Sequence, residues 1–166
     1  MKIVTSLIDP SLTDILATVS DPEIPVLTVL DLGVVREAKK EGSLVKIKLT
    51  PTYSGCPAMD TMAADISIAL EKAGFRSDIK LVLSPAWSTD WISREGRRKL
   101  EEYGVAAPLS ESMDKKALID GERVVACTNC KSTNTKMISQ FGSTACKALF
   151  RCKDCLEPFD YFKCLK

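Results

Sequence analysis

Four cysteines near the end of the chain have the type and spacing of metal ligands. They form two Cys-x-x-Cys pairs, Cys127 with Cys130 and Cys152 with Cys155, and 21 residues separate the pairs. A gap of two residues lets both sulfur atoms of a tight turn reach one ion at about 2.3 Å. Two such turns can complete a tetrahedron, so the spacing predicts one zinc ion held by these four thiolates.

Spacing alone does not identify the metal, because thiolates also suit iron and iron–sulfur clusters. Two further cysteines, Cys146 and Cys164, bring the thiols of this region to six, which is more than one zinc ion needs. We interpret these two either as small buried residues or as ligands of an iron–sulfur cluster. The four paired thiols could also lie unbound in a core, or one pair could be a redox site like that of thioredoxin.

The seventh cysteine, Cys56, stands apart from the others and is a candidate reactive thiol. It lies in Tyr53-Ser54-Gly55-Cys56-Pro57, directly before a predicted helix. Backbone N–H groups and the helix dipole favour a thiolate there, so we expect a lowered pKa. Cys56 is therefore a candidate ligand for a transient iron–sulfur cluster, although a buried cysteine at a helix start would have the same sequence.

Three acidic residues precede the first clear strand of the sequence. Asp21, Glu23 and Asp31 lie in loop segments. They could line a site with Cys56, or they could cap helices and form turns.

The absence of histidine removes most enzyme chemistry. The 166 residues contain no histidine, which excludes Ser-His-Asp and Cys-His nucleophile pairs, His-based metalloprotease helices and the Glu-x-x-His motifs of di-iron sites. The chain also lacks the Gly-rich dinucleotide fingerprint and the Walker loop. We therefore predict no catalytic residue beyond the candidate thiol and expect no catalytic activity of the protein's own.

Charge and hydropathy exclude further partners. Lys and Arg number 23 against 22 Asp and Glu, so the net charge is +1, which argues against a nucleic-acid partner. No apolar run reaches the ~18 residues that cross a bilayer, and the N-terminus lacks the pattern of a signal peptide. We expect a cytoplasmic protein with no membrane partner, whose reduced thiols serve metal binding more than disulfides.

The elements that must position these residues form a small α/β (α+β) domain over residues 1–105. Apolar spacing predicts a short helix at 12–19, strands at 45–49 and 79–83, a helix from Pro57 to Gly74 and a charged helix at 93–103. Residues 37–43 have the composition of a charged turn, and residues 106–123 that of a linker. Residues 124–166 form the cysteine-rich, zinc-ribbon-like domain, since about 40 residues bury too little core to fold without a metal.

Motifs in the first domain resemble those of a known family. In chain order they are Asp21-Pro22-Glu23-Ile24-Pro25, Asp31-Leu32-Gly33-Val34-Val35 and Thr50-Pro51-Thr52-Tyr53-Ser54-Gly55-Cys56-Pro57. This part resembles the SufT-like iron–sulfur assembly family and the N-terminal domain of some ApbC-type cluster carriers. The resemblance implies a domain that recognises an apoprotein or a cluster carrier, with Cys56 as a transient ligand.

Later motifs are similar to those of the PaaD family of phenylacetate-degradation proteins. They include Ser84-Pro85-Ala86-Trp87-Ser88-Thr89-Asp90-Trp91, Gln140-Phe141-Gly142-Ser143-Thr144-Ala145-Cys146-Lys147 and Glu157-Pro158-Phe159-Asp160-Tyr161-Phe162-Lys163-Cys164. This resemblance covers nearly the whole chain. It implies a role beside phenylacetyl-CoA epoxidase, which combines a di-iron oxygenase with a flavin and iron–sulfur reductase.

The resemblance leads to one main hypothesis about function and one alternative. The main hypothesis is an iron–sulfur cluster assembly factor for the epoxidase, acting on its iron–sulfur reductase component. The alternative is a non-catalytic, zinc-stabilised structural subunit of the epoxidase complex, and a thiol redox enzyme using Cys56 or a Cys-x-x-Cys pair is a third hypothesis. The expected partners are epoxidase subunits and iron–sulfur carrier or recipient proteins, and the exposed sheet edges of a small α/β domain would allow a homodimer.

Overall fold

The computed structural model describes residues 7–109 and 124–163, which fall into two units. The first comprises the chain up to Trp87 together with Trp91–Gly96, and the second comprises Ser88–Asp90 and the chain from Arg97 onward. The first unit is mixed α/β, and the second carries the paired cysteines on a small sheet, so the predicted fold class is confirmed. Residues 110–123, most of the predicted linker, lie outside the described residues, so the domain limits remain a prediction.

A three-stranded sheet forms the centre of the first unit. Its strands are β1 (Val35–Glu41), β2 (Leu44–Leu49) and β3 (Arg76–Leu81), in the order β1-β2-β3. β1 pairs antiparallel with β2, and β2 pairs parallel with β3. In β2, Val45, Ile47 and Leu49 are buried and the two lysines between them are exposed, as the period-2 alternation predicted.

The first unit contains a short helical segment and one long helix, both in the regions where apolar spacing predicted helices. The first turns comprise a 3-10 helix at Pro10–Leu12 and α1 at Thr13–Leu16, a shorter segment than the predicted one. The long helix α2 covers Ala58–Lys72, and its fully buried side chains, spaced four apart, are Met62, Ile66 and Leu70. α2 sets the position of Cys56, which lies two residues before it.

The charged segment 37–43 is a strand for most of its length, so the prediction of a turn was wrong. Glu37 accepts salt bridges from Lys39 at 2.7 Å and from Lys48 of β2 at 2.9 Å. β1 lies at the edge of the sheet, and its last three charged residues, Lys39, Lys40 and Glu41, are exposed while the backbone pairs with β2. The turn is confined to Gly42, with φ of +61°, and Ser43.

Gly33, two residues before β1, packs closely against the backbone of Trp91, and a substitution there tests this packing. Its φ is +68°, and an added Cβ would lie 2.4 Å from the backbone oxygen of Trp91. We expect Gly33→Ala to lower the free energy of unfolding by about 3 kcal/mol, because a backbone clash adds to an unfavourable dihedral. Gly42→Ala is the matched control, since φ is also positive there and no atom lies within 4 Å of the new Cβ. Urea denaturation measures both variants; equal losses would mean that the dihedral alone sets the cost.

A four-stranded sheet forms the second unit. Its strands are β4 (Val105–Ala106), β5 (Thr135–Ser139), β6 (Lys147–Cys152) and β7 (Pro158–Phe162), in the order β4-β7-β6-β5. β4 pairs parallel with β7, and the other pairs are antiparallel. Aromatic rings fill its core: Phe150 lies 5.9 Å from Phe159 and 5.6 Å from Tyr161, centroid to centroid.

The predicted charged helix is α3 (Arg94–Glu102), which precedes β4. One of its basic residues has a structural role, because Arg97 donates to the backbone oxygens of Thr89 and Pro108. Within the described part of the chain, no helix has the length and apolar character needed to cross a membrane.

Candidate metal centre and thiol site

The two Cys-x-x-Cys pairs converge on one point in the second unit. The four sulfur atoms all lie within 4.8 Å of one another. Sγ of Cys127 is 3.6 Å from that of Cys155, and Sγ of Cys130 is 3.6 Å from that of Cys152. Four sulfurs at about 2.3 Å from a central ion form a tetrahedron with edges of about 3.8 Å. The thiols therefore fit a four-coordinate metal, and their separation is far too long for disulfide bonds.

The two turns that hold the sulfurs repeat one backbone pattern. In each, the N–H of the first cysteine donates to the carbonyl five residues later, Cys127 to Ser132 at 2.8 Å and Cys152 to Glu157 at 2.9 Å. In each, the residue after the second cysteine has a positive φ, +61° at Lys131 and +66° at Leu156. Equivalent turns present equivalent thiol pairs, and the start of β5 and the end of β6 bring the two pairs together.

Polar residues tie the two turns to each other. The carboxylate of Asp154, in the second turn, accepts hydrogen bonds from the Ser132 hydroxyl and from Asn134 Nδ2, the latter at 2.7 Å. These two donors lower the pKa of Asp154, so it is ionised at neutral pH. Asn129 Nδ2 also lies 3.8 Å from the sulfur of Cys155. Sequence reasoning missed this network, since nothing in the spacing of Ser132, Asn134 and Asp154 distinguishes them from surface turn residues.

The thiols of the cluster differ in how readily they ionise. The backbone N–H of Cys155, 3.5 Å from Cys152 Sγ, is the largest influence on Cys152 and lowers its pKa to about 7. The backbone N–H of Ser132 acts in the same direction on Cys130, but the thiols of Cys155, Cys152 and Cys127 together with burial raise the pKa of Cys130. The Cys152 thiolate forms easily and Cys130 resists a second negative charge, a conflict that a bound cation relieves.

Cys146 does not join this cluster. Cys146 is buried, and its sulfur lies 3.1 Å from the hydroxyl of Thr144. Its carbonyl accepts the N–H of Lys163 at 2.8 Å, which fixes it in the sheet. Cys164 lies outside the described residues, so its proposed role as a cluster ligand remains a prediction.

Cys56 lies in the first unit, half-buried, two residues before α2. The expected lowering of its pKa was wrong: burial is the largest influence and raises the pKa of this thiol, and the charges of Glu23 and Asp21 add to that effect. The Ala58 N–H and the Thr52 side chain oppose the shift without reversing it. A protonated thiol is a poor redox nucleophile, which argues against a thiol redox enzyme that uses Cys56.

Two of the three acidic candidates, Asp21 and Glu23, lie close enough to Cys56 to affect its pKa, and Asp31 has a different role. The Asp21 carboxylate accepts the N–H groups of Glu23 at 2.6 Å and Ile24 at 3.0 Å, so it shapes the loop that brings Glu23 within electrostatic range of Cys56. Asp31 accepts instead from the hydroxyl of Ser93 at 2.9 Å and from the N–H of Thr28 at 3.2 Å. Asp31 is therefore a turn former, as one of the two interpretations held.

Thr52 is a contributor to the thiol site that sequence reasoning missed. Its side chain hydrogen-bonds to Cys56 from four residues upstream. The sequence signal for this contact was that Thr52 and Cys56 lie in the same short loop between β2 and α2. A hydroxyl in such a loop can reach a thiol four residues later.

Comparisons with known protein families match both units. A model described as the PaaD zinc beta ribbon domain matches residues 111–163. A model described as an iron–sulfur cluster assembly protein matches residues 11–75. The first match contains the four convergent cysteines, and the second contains Cys56.

Individual relatives match either nearly the whole chain or about half of it. A protein from Escherichia coli, named as one of the subunits of 1,2-phenylacetyl-CoA epoxidase, is 48% identical over 91% of this chain and 90% of its own length. A protein from Porphyromonas gingivalis, named an Fe-S protein maturation auxiliary factor, is 34% identical over 51% of this chain and 83% of its own. The crystal structure of a domain of unknown function, DUF59, from Bacillus anthracis has a TM-score of 0.50 and 26% identity over 54% of this chain and 88% of that one.

Proposed function

This chain belongs to the PaaD family, and from that premise we propose that it assembles the iron–sulfur protein of a phenylacetyl-CoA epoxidase and has no catalytic activity of its own. A general role in iron–sulfur assembly is supported by the family model that matches residues 11–75 and by the maturation factor that is similar to half of this chain. The specific link to the epoxidase is the proposal, and its support is the name of the E. coli relative.

The observation that carries this proposal is the incomplete ligand set at Cys56. Among the described residues, the four C-terminal thiols are the one group of three or more Cys, Asp or Glu side chains whose ligand atoms converge within 4.8 Å. Cys56 stands outside that group and is half-buried at a loop. No group of three ligands among the described residues includes Cys56, which supports a cluster whose other ligands come from a second molecule, as transfer between two proteins requires.

We assign different tasks to the two groups of cysteines. Zinc would be held by Cys127, Cys130, Cys152 and Cys155, where a four-thiolate ion supplies a structural cross-link and leaves no open position. The cluster in transit is substrate, and Cys56 is its transient ligand. Cys146 serves packing in this scheme, because it is buried in the sheet beside Thr144.

Production of the epoxidase reductase with and without this protein tests the proposal. We expect the reductase made alone to contain several-fold less iron and acid-labile sulfide, and its cluster absorption to fall in proportion. A ferredoxin made in the same cells is the control and should be unaffected. Equal iron and sulfide in the two reductase preparations would contradict the assembly role.

The structural-subunit alternative keeps one observation in its favour, since the E. coli relative carries the name of an epoxidase subunit. It predicts stoichiometric co-elution with the oxygenase subunits during size exclusion. In cells that lack this protein, the alternative predicts that epoxidase activity is lost while the reductase retains its iron. The assembly role predicts that both the activity and the iron of the reductase are lost.

A further inference from the structure

A groove runs along the outer part of the sheet in the second unit. Its volume is about 600 Å³. Its lining includes two strongly exposed apolar side chains, Ile138 at 55% and Leu156 at 58%. We call it the basic groove, and the residues that line it are Lys136, Met137, Ile138, Arg151, Cys152, Lys153 and Leu156.

Apart from the Cys152 thiol, which belongs to the metal centre, the ionisable side chains of the basic groove are all positively charged. Lys136 of β5 lies directly opposite Arg151 of β6 in the strand register, and Lys153 follows two residues later. Like charges in directly opposed positions of a sheet cost stability. No carboxylate in the described ranges forms a salt bridge with any of the three, and no acidic residue lines the groove. The cost of holding these charges together would be relieved by an anionic ligand.

The groove also borders an open strand edge. β5 is the outermost strand of the sheet, and within residues 7–109 and 124–163 no strand pairs with its outer side. The register with β6 is regular from Thr135 to Met137 and shifts before Ser139, where Ile138 is the extra residue. A bulge of this kind re-aims a side chain, and here it leaves Ile138 exposed. Unpaired backbone groups beside an apolar surface are the requirements for addition of a strand.

We propose that β5 and the basic groove bind an extended, acidic segment of a partner protein, which adds to the sheet as a fifth strand. Its backbone pairs with β5, its apolar side chains contact Ile138 and Leu156, and its carboxylates meet Lys136, Arg151 and Lys153. A second copy of this chain is the less suitable occupant, because pairing of two identical β5 edges would place two basic grooves together. This site is independent of Cys56 and does not rest on the proposed function.

Binding of a defined peptide to the full-length, metal-loaded protein tests this proposal. The probe is a fluorescein-labelled ten-residue peptide that alternates glutamate with valine, and binding is followed by fluorescence anisotropy at low salt. We expect Lys136→Glu combined with Arg151→Glu to weaken binding at least about tenfold, because two attractive charges become repulsive. Arg76→Glu combined with Lys80→Glu is the matched control, since it makes the same charge change on the exposed edge strand β3 and should leave binding unchanged.

Two further peptides separate pairing from simple attraction. A peptide that alternates lysine with valine should not bind. The glutamate peptide methylated on every backbone nitrogen should bind at least about tenfold more weakly, since neither of its edges can then donate to a strand. Equal binding by the lysine peptide, or equal loss in the control variant, would overturn the basic groove as the site. Full binding by the methylated peptide would overturn strand addition. A dimer in sedimentation velocity that Lys136→Glu with Arg151→Glu dissociates would overturn the partner segment in favour of a second copy.

Discussion

Replacement of Cys152 by serine is expected to abolish metal binding and to unfold the sheet of the second unit. Cys152 is fully buried, ends β6 and contributes one of the four converging sulfur atoms. A serine hydroxyl is a much weaker ligand for a soft-metal site than a thiolate. Structural zinc contributes about 10–16 kcal/mol of binding free energy in small zinc-finger peptides, far above the few kcal/mol that a small core supplies. Loss of the ion should therefore remove the folded state of this unit.

Metal content and amide exchange measure that result together. We expect the metal to fall from one equivalent per chain to none and β5–β7 to lose amide protection, while β1–β3 keep theirs because they belong to a separate unit with its own core. Cys146→Ala is the matched control: it removes a buried thiol from the same unit outside the cluster, and should keep the metal at a cost of about 1–2 kcal/mol. Metal retained at full occupancy in Cys152→Ser would show that the four thiols are not the ligand set.

Metal analysis and an absorption spectrum of the unsubstituted protein identify the ion. Zinc without absorption in the visible range is expected, because a closed four-thiolate site suits structural zinc. Iron with acid-labile sulfide in the native protein, lost in Cys152→Ser, would assign a cluster to these thiols and would contradict the division of tasks proposed above.

Local patterns predicted the two Cys-x-x-Cys turns and the helix α2, because their signals lie within a few residues. Each Cys-x-x-Cys pair is contained in one turn, and only the meeting of the two turns depends on the fold. The helix α2 followed in the same way from the spacing of Met62, Ile66 and Leu70. Such features are independent of the position of distant chain segments, so the sequence alone suffices for them.

Features that depend on neighbours across the fold were not predictable. The charged strand β1 has the composition of a turn, and only its place at the sheet edge explains why Glu37 and Lys39 can occupy a strand. The pKa of Cys56 was predicted from the nearby helix start, but burial and the distant Glu23 act in the opposite direction. The basic groove depends on which strand of the second sheet is outermost, and the sequence carries no sign of that order.

Replacement of Cys56 by serine is expected to abolish assembly activity while the protein remains folded. Cys56 is half-buried, so a volume-conserving change there should cost less than about 1.5 kcal/mol, and a serine can keep the hydrogen bonds with Ala58 N–H and Thr52. Serine cannot replace the soft sulfur ligand of a cluster. We expect the iron content of the co-produced reductase to fall to that of cells lacking this protein, with unchanged metal at the C-terminal cluster and a melting temperature within a few degrees of the original.

Ser54→Ala is the matched control, because it changes an exposed side chain of the same loop and leaves the thiol in place. It should support full loading of the reductase. If Cys56→Ser also supports full loading, the transient ligand cannot be Cys56, and the assembly role would need another thiol. If Cys56→Ser removes epoxidase activity while the reductase keeps its iron, the first unit acts in the assembled complex, as the structural-subunit alternative requires. The two variants together therefore distinguish a ligand that handles a cluster from a residue that holds a subunit in place.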